Sequence, residues 1–426
     1  MRLFGERSER VKFNRKIFIN NYMSFTKTSI VTLFAVATFF AACDNAAKPT
    51  DSGVPTKTSP PVSATPPPSA KPEMHLYMAN VDNLNLRDQP NKGGKVITQF
   101  KEGEFVEATG EVSTNKEKAT LRGIEWEEPY YKVTSTTPQQ HTGWAYGGAL
   151  QRVYSGPRAT SPDLGKLVQL SMFLKTLNVK KLESGKQAWD FVKTNFADSR
   201  GTLSDAAFVL LERFLFRMEI EGEFYKMTEK IKWADEDYQA INDRRFNMGK
   251  YPITKTLGDN GFRLFTGEGM VFPVVDWDKL SDFFSGKVTP PMKNYLQQNT
   301  LEKTNNAMDD GGFAISMEQV ADRAVFWEKF NQDHPYFVLH EETRESQRWL
   351  LHALTNGADN TPVFDYETKA VREDFTKMWK YVVEKYPGTA AAKRVQGFSE
   401  LVAAEGGKAT KKVEDMQQNF NGELGY

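Results

Sequence analysis

Hydrophobic residues are arranged in three successive textures along this chain. Near the N-terminus a continuous apolar run from Ser29 to Ala42 leads into Cys43-Asp44-Asn45. At about 14 residues it is shorter than the roughly 20 a permanent transmembrane helix needs. Between residues 74 and 154 the apolar positions come in short β-branched and aromatic runs: Met74–Met78, Leu84–Leu86, Val96–Phe100, Phe105–Thr109, Trp126 with Tyr130–Val133, and Trp144–Tyr146. Asn91-Lys92-Gly93-Gly94 and Lys101-Glu102-Gly103 punctuate them as turns, so the segment predicts five to seven strands folded into a small β-barrel. From Pro162 onward the spacing changes to three and four. Leu164, Leu167, Leu170, Phe173, Leu174 and Leu177 mark one helical face, and Phe208, Leu211, Phe214, Leu215 and Met218 another, which Ser204-Asp205 is expected to cap.

Charge refines the first texture. Arg2, Arg7, Arg10, Lys12, Arg15, Lys16 and Lys27 stand against Glu6 and Glu9, a net charge of about +5 ahead of the apolar run. A basic segment, a short apolar core and the small pair Ala41-Ala42 describe a secretion signal over residues 1–42. Because the cut is followed by cysteine, this stretch resembles the lipobox of bacterial lipoproteins, with Phe40 where leucine is usual. The resemblance implies that Cys43 carries a diacylglycerol and tethers the chain to a membrane. Pro49, Pro55, Pro60, Pro61, Pro66, Pro67, Pro68 and Pro72 then give residues 43–73 the composition of an extended, solvated tether. The chain is formally neutral, so without its leader it is acidic by about 5 charges, which argues against nucleic-acid binding. Cys43 is the sole cysteine, and its acylation leaves no thiol for a disulfide, a metal site or a nucleophile.

The strand region carries a recognisable pattern. Leu84-Asn85-Leu86-Arg87-Asp88-Gln89-Pro90, Lys95-Val96-Ile97, Lys101-Glu102-Gly103-Glu104-Phe105-Val106, Tyr130-Tyr131-Lys132-Val133 and Thr142-Gly143-Trp144-Ala145 resemble a bacterial SH3 domain. Leu84 and Leu86 are expected to face inward, Arg87 outward, and Gly143 to allow a tight bend before a buried Trp144. Residues 110–123 and 134–141 read as long polar loops bordering the groove. What the resemblance implies is a barrel over residues 74–154 that engages peptidoglycan or a protein partner. Arg87, Trp126, Tyr130 and Tyr146 are the candidate ligand contacts, with filling of the barrel core as the competing role for each ring.

Residues 160–415 read as an irregular α-helical domain, and residues 416–426 as a flexible tail. Gln319, Arg323 and Glu328 are expected on a polar face opposite Val320, Ala324 and Trp327, and Tyr251–Val275 as a glycine-punctuated, strand-like or looped insert. Trp189, Trp327 and Trp379 are each followed at seven residues by Phe196, His334 and Tyr386 near a helix breaker. This weak echo suggests stacked helical hairpins, and Tyr386-Pro387-Gly388-Thr389-Ala390-Ala391 resembles a tetratricopeptide-type turn. Catalytic patterns are sparse. His340-Glu341-Glu342-Thr343-Arg344 begins like a zincin helix but has arginine where the second ligand belongs. Asp309–Gly312 and Asp359–Asp365 lack calcium-loop spacing, and Asp276-Trp277-Asp278 reads as a helix start. No cofactor or metal site is expected.

The fold expected is therefore multidomain α+β, a small SH3-like barrel followed by a hairpin or solenoid-like helical domain. The expected role is a lipid-anchored binding or scaffold protein of the bacterial cell envelope. The alternative is a cell-wall hydrolase working with Asp and Glu of the helical half.

Overall fold

The computed structural model describes residues 71–424, apart from 122–123, 137, 243–250 and 268. The leader, Cys43 and the tether through residue 70 lie outside the described residues. Strands β1 (Met74–Ala79), β2 (Leu84–Arg87), β3 (Val96–Phe100), β4 (Phe105–Leu121), β5 (Ile124–Ser135), β6 (Thr142–Tyr146) and β7 (Leu150–Gly156) form one antiparallel sheet in the order β3-β2-β6-β5-β4-β1-β7. The alternation expected from the sequence holds at Leu84 and Leu86, which face a core with Ala79, Phe100, Val106, Val133 and Ala145. Gly143 lies within β6 rather than at a bend. A Cβ there would come within 2.5 Å of the Arg87 carbonyl and 2.9 Å of Ile97 Cδ1, so glycine lets β6 approach β2 where the ladder shifts register.

The segment expected as a polar loop at 110–123 is instead mostly strand. β4 and β5 continue past the barrel as a two-stranded arm, with Lys116 opposite Pro129, Glu117 opposite Glu128 and Lys118 opposite Glu127. The arm meets the barrel largely through polar groups, Glu117 among them, so its sequence lacks the apolar alternation by which strands are recognised.

The helical half contains α1 (Ser161–Thr176), α2 (Glu183–Phe196), α3 (Thr202–Glu221), α4 (Asp235–Asn242) and α5 (Pro252–Asp259). A hairpin follows, β8 (Phe262–Gly267) and β9 (Met270–Val275), then α6 (Trp277–Phe284) and α7 (Pro290–Thr304). Two short hairpins, β10–β11 (Met308–Asp309, Gly312–Phe313) and β12–β13 (Gly357–Ala358, Thr361–Pro362), flank the helix pair α8 (Met317–Asp333) and α9 (His340–Asn356). α10 (Glu373–Lys385), α11 (Ala390–Ala404) and α12 (Lys411–Leu424) complete the chain. Trp189, Trp327 and Trp379 are all buried, and the residue seven places on marks each helix end.

Four expectations are corrected here. α3 begins at Thr202 after Gly201, so Asp205 is not a cap; its buried carboxylate accepts from Thr289 N at 2.9 Å and Thr289 Oγ1 at 2.6 Å. Arg323 and Glu328 are buried, not solvated: Arg323 Nη2 donates to the Asn305 carbonyl at 2.7 Å, and Glu328 accepts from Ala390 N and Ala391 N at the start of α11. Both sit on α8 faces covered by neighbouring elements, where a charge persists only if its partners are built in. Tyr251–Val275 contains helix α5 ahead of its hairpin. Residues 416–424 of the expected tail belong to helix α12, which docks through buried Val413 and Phe420, with Gln417 Nε2 donating to the Thr355 carbonyl at 2.7 Å. Its two anchoring apolar residues are seven apart among polar ones, too thin a stripe to read as a buried helix.

Barrel and helices share one core. Leu76, Phe105, Val153 and Tyr154 from the barrel join the apolar cluster that contains Leu167, Leu170, Phe208 and Leu211. Polar bonds frame this seam. Arg152 donates Nε to Tyr77 Oη at 3.1 Å and Nη1 to the Phe337 carbonyl at 3.2 Å, and pairs with Glu341. Ser155 Oγ donates to the Tyr336 carbonyl at 2.7 Å, and Arg217 pairs with Glu102 at 2.9 Å. Leu76→Ala is expected to cost about 2–5 kcal/mol. Because the cavity opens into the shared core, calorimetry should show one transition shifted as a whole. Two separate transitions, with only the first displaced, would contradict a common core.

Candidate functional site

The outer face of the barrel is built by strand pairing. Arg87 stands opposite Val96 on β3 and opposite Trp144 on β6, and Trp144 stands opposite Lys132 on β5. Directly paired residues point to the same side, so Val96, Arg87, Trp144 and Lys132 form a row across four strands. Val96 and its neighbour Ile97 are 40% and 41% exposed, and Trp144 is half-buried. Lys132 Nζ lies 5.9 Å from the Trp144 ring centroid and pairs with Glu111 at 2.7 Å, while Arg87 Nη1 donates to the Gly94 carbonyl at 2.7 Å. The row is an aromatic plate between two cations. Trp144, expected in the core, is thus the residue that sequence reading missed. The signal was present, since Gly143 and Ala145 are the small inward positions and Trp144 alternates outward.

Two residues further along the same strands, Tyr130 stands opposite Tyr146 on that same outer side. Their rings meet edge-on at 5.6 Å, yet they are only 3% and 7% exposed. The β4–β5 arm covers them. Tyr146 Oη lies 2.7 Å from the Glu117 carbonyl and 3.0 Å from that of Trp126, while Tyr130 Oη donates to Glu117 Oε2 at 3.0 Å. Lys92, on the facing loop, donates its backbone N–H to the Glu117 carboxylate at 3.2 Å and its ammonium to the Lys118 carbonyl. Trp126 sits on the arm itself, half-buried against the turn at Gly147–Gly148. The fold therefore brings Trp126, Tyr130 and Tyr146 together as a packed group and leaves Arg87 in the open row. Burial foremost, reinforced by nearby carboxylates, pushes both tyrosine hydroxyls up to about 12.

The catalytic possibilities read in the helical half have structural occupations. Glu341 pairs with Arg152 of the barrel and Glu342 with Arg213 of α3, so the zincin-like stretch clamps two elements together. Asp276 caps α6, accepting from Lys279 N at 3.2 Å. The acidic loops form the tips of β10–β11 and β12–β13, which dock on each other through Asn360 N to the Gly311 carbonyl at 2.8 Å and Phe313 N to Thr361 Oγ1 at 3.1 Å. His340 and His352 are both lowered to about 4, by burial first and then by a neighbouring arginine. Among the described residues no group of three or more His, Cys, Asp or Glu is placed to hold a metal, and no helix is long and apolar enough to cross a membrane.

Two measurements test the covered half of this face. Tyr146→Phe strands the arm's carbonyl and N–H partners and is expected to cost about 1–3 kcal/mol in a denaturant melt. Tyr146→Ala is expected to cost about 3–5 kcal/mol, and unchanged stability would show that the arm does not seat on the ring. Glu128, on the arm's second strand, is pushed up to about 7, by burial first, with Glu341 adding and Lys116 opposing. A raised carboxyl binds its proton more tightly in the folded chain than in the unfolded one. Stability should therefore fall as pH rises from about 4.5 through about 7, and Glu128→Gln should flatten that slope. A slope in that window unchanged by the substitution would place the proton elsewhere.

With this geometry in view, comparison with known proteins adds one finding. No curated protein and no solved structure matches the chain. The sequence model of the bacterial SH3 domain matches residues 82–151, from just before β2 into the start of β7. Residues 82–151 are a bacterial SH3 domain, followed by a helical region.

Proposed function

We propose that this protein is a lipid-anchored component of the bacterial cell envelope, whose barrel binds peptidoglycan or an envelope protein through the open row at Trp144. The observation that carries the reading is the bacterial SH3 domain at residues 82–151, a domain typically used for cell-wall binding. The open row supports it physically. An indole plate suits the apolar face of a sugar or peptide, and Arg87 and Lys132 on either side of it suit its carboxylates. Cys43 supplies the anchor, each buried methylene of its acyl chain contributing about 0.8 kcal/mol. The proline-rich tether, at about 3 Å per residue when extended, sets the barrel several nanometres from the bilayer. Helices α10 and α11, with their tetratricopeptide-like turn, offer a second interaction surface. Binding is favoured over hydrolysis because Glu341, Glu342, Asp205 and Asp276 are each committed to a structural bond.

Purified protein should co-sediment with isolated cell-wall sacculi without releasing soluble fragments. Trp144→Ala should weaken capture about 30-fold, the effect of a central aromatic contact worth about 2 kcal/mol, and leave the melting curve close to wild type. Arg87→Ala should weaken it to a smaller degree. Release of fragments would favour the hydrolase, and capture unaffected by Trp144→Ala would move the binding face off the barrel row. Separately, Cys43→Ser should abolish incorporation of labelled fatty acid and shift the protein out of the membrane fraction. Unchanged labelling and fractionation would remove the anchor from this reading.

A further inference from the structure

A cavity of about 290 Å³, at the lower edge of the range usual for small-ligand sites, opens where strand β7, helix α1 and the start of α3 meet. Thr202 and Leu203 of the first turn of α3 line it, together with Ser199, Arg200 and Lys166. Helix α3 is 20 residues long and begins without a side-chain cap, because Gly201 holds the N-cap position at φ +64°. Asp205 N is the first amide of the helix to be satisfied, by the Gly201 carbonyl at 3.1 Å. Ahead of it the N–H groups of Thr202, Leu203 and Ser204 have no partner among the described residues. They form the positive end of a long helix dipole. Ser199 gives a second, independent sign. It is only 7% exposed, it belongs to the lining, and its Oγ has no hydrogen-bond partner. A buried hydroxyl without a partner is costly and rare, so one that the chain does not supply is expected.

The formal charges of the lining balance, Lys166 and Arg200 against Asp163 and Asp198, but its hydrogen bonds do not. Asp163 already accepts from Thr160 Oγ1 at 2.7 Å in the first turn of α1, and Asp198 stands exposed to water. Lys166 is exposed and forms no ion pair among the described residues. Arg200 holds its guanidinium in place by donating Nη1 to the Ser199 carbonyl at 2.7 Å and to the Ala197 carbonyl at 3.2 Å. Its other N–H groups have no partner among the described residues. Lys287, whose carbonyl accepts from Gly201 N at 2.8 Å, senses the resulting field. Burial foremost holds its amine below the ordinary lysine range, and the charge of Arg200 adds to that more than Asp198 opposes it. What the site lacks is several acceptors close together, which a tetrahedral oxyanion supplies. We infer that this cavity binds a phosphate group, its oxygens received by the N–H groups of Thr202 and Leu203 and by Ser199 Oγ, with Lys166 and Arg200 as counter-charges. Free phosphate and a lipid headgroup share that chemistry. The site lies apart from the barrel row and does not rest on the envelope reading.

Isothermal titration of the full-length protein with inorganic phosphate, and with the soluble short-chain lipid dihexanoyl-phosphatidylglycerol, tests this. At least one should bind in the millimolar range or tighter. Tighter binding of the lipid marks a headgroup as the source, and tighter binding of phosphate the free ion. Ser199→Ala removes a hydroxyl that nothing in the fold uses. It should leave the melting curve unchanged and weaken binding about tenfold, the effect of one hydrogen bond to a charged group. Lys166→Gln, at an exposed position, should also weaken binding with an unchanged melt. Absence of heat from both probes up to about 10 mM, or wild-type affinity in both variants, would overturn the assignment. A Ser199→Ala chain that melts earlier and binds as before would assign the hydroxyl to the fold and overturn it as well. Binding should persist in Trp144→Ala whatever becomes of sacculus capture, and its loss there would place the phosphate on the barrel row instead.

Discussion

The structure depends on covering helix α3. Nearly every position from Leu203 to Leu215 is buried, with apolar side chains pointing in all directions around the helix. A helix apolar on every side needs a cover on every side. α1, α2 and α6 with hairpin β8–β9 cover most of the circumference, and strand β7 of the barrel closes the rest. The barrel is thus one wall of the helical core. The seam also fixes where charges go. Glu212, Arg213 and Glu342 sit at its edge as a connected group, and Arg152 with Glu341 and Tyr77 at another. Removing one member would leave its partner charged with little water to replace it, so these groups are jointly required even where their net contribution to stability is small.

The same economy explains the outer face of the barrel. Small barrels have little interior, and this one fills it with Leu84, Leu86, Val106, Val133 and Ala145. Phe100 joins them there, and other large rings need a separate cover. Tyr130 and Tyr146 find it beneath the β4–β5 arm, through hydroxyls that bond the arm's backbone and Glu117. Trp144 stays half-exposed. An arm that is only two strands wide gains much of its order from what it rests on, so Tyr130 and Tyr146 serve as its foundation.

Much of the architecture was legible in the sequence wherever burial was one-sided. Alternation at Leu84 and Leu86, the turn glycines and the period of three and four after Pro162 mark their elements because each presents one face to a core. Legibility failed where that condition failed. The arm meets the barrel largely through polar groups and reads as loop, and α12 carries its anchors too sparsely. Arg323 and Glu328 read as surface because burial of a charge depends on partners far away in sequence, Asn305 and Ala390. At the site, alternation was enough to place Trp144 outward, but nothing local could reveal that Tyr130 and Tyr146 are roofed by residues a dozen or more positions earlier. Trp189 illustrates the same limit, since its neighbours Lys279 and Phe283 come from a helix some ninety residues downstream.

The placement of β1 has a mechanical consequence. The first described strand, β1, begins at Met74 and is hydrogen-bonded on both edges, to β4 along one side and β7 along the other. In antiparallel pairs those bonds run perpendicular to the strand. A pull entering from the N-terminal side along the strand axis therefore loads both ladders in shear and at once, instead of peeling them bond by bond. Leu76, seated in the common core, passes the load on to α3. Tension arriving at Met74 would in this way meet the strand best able to resist it.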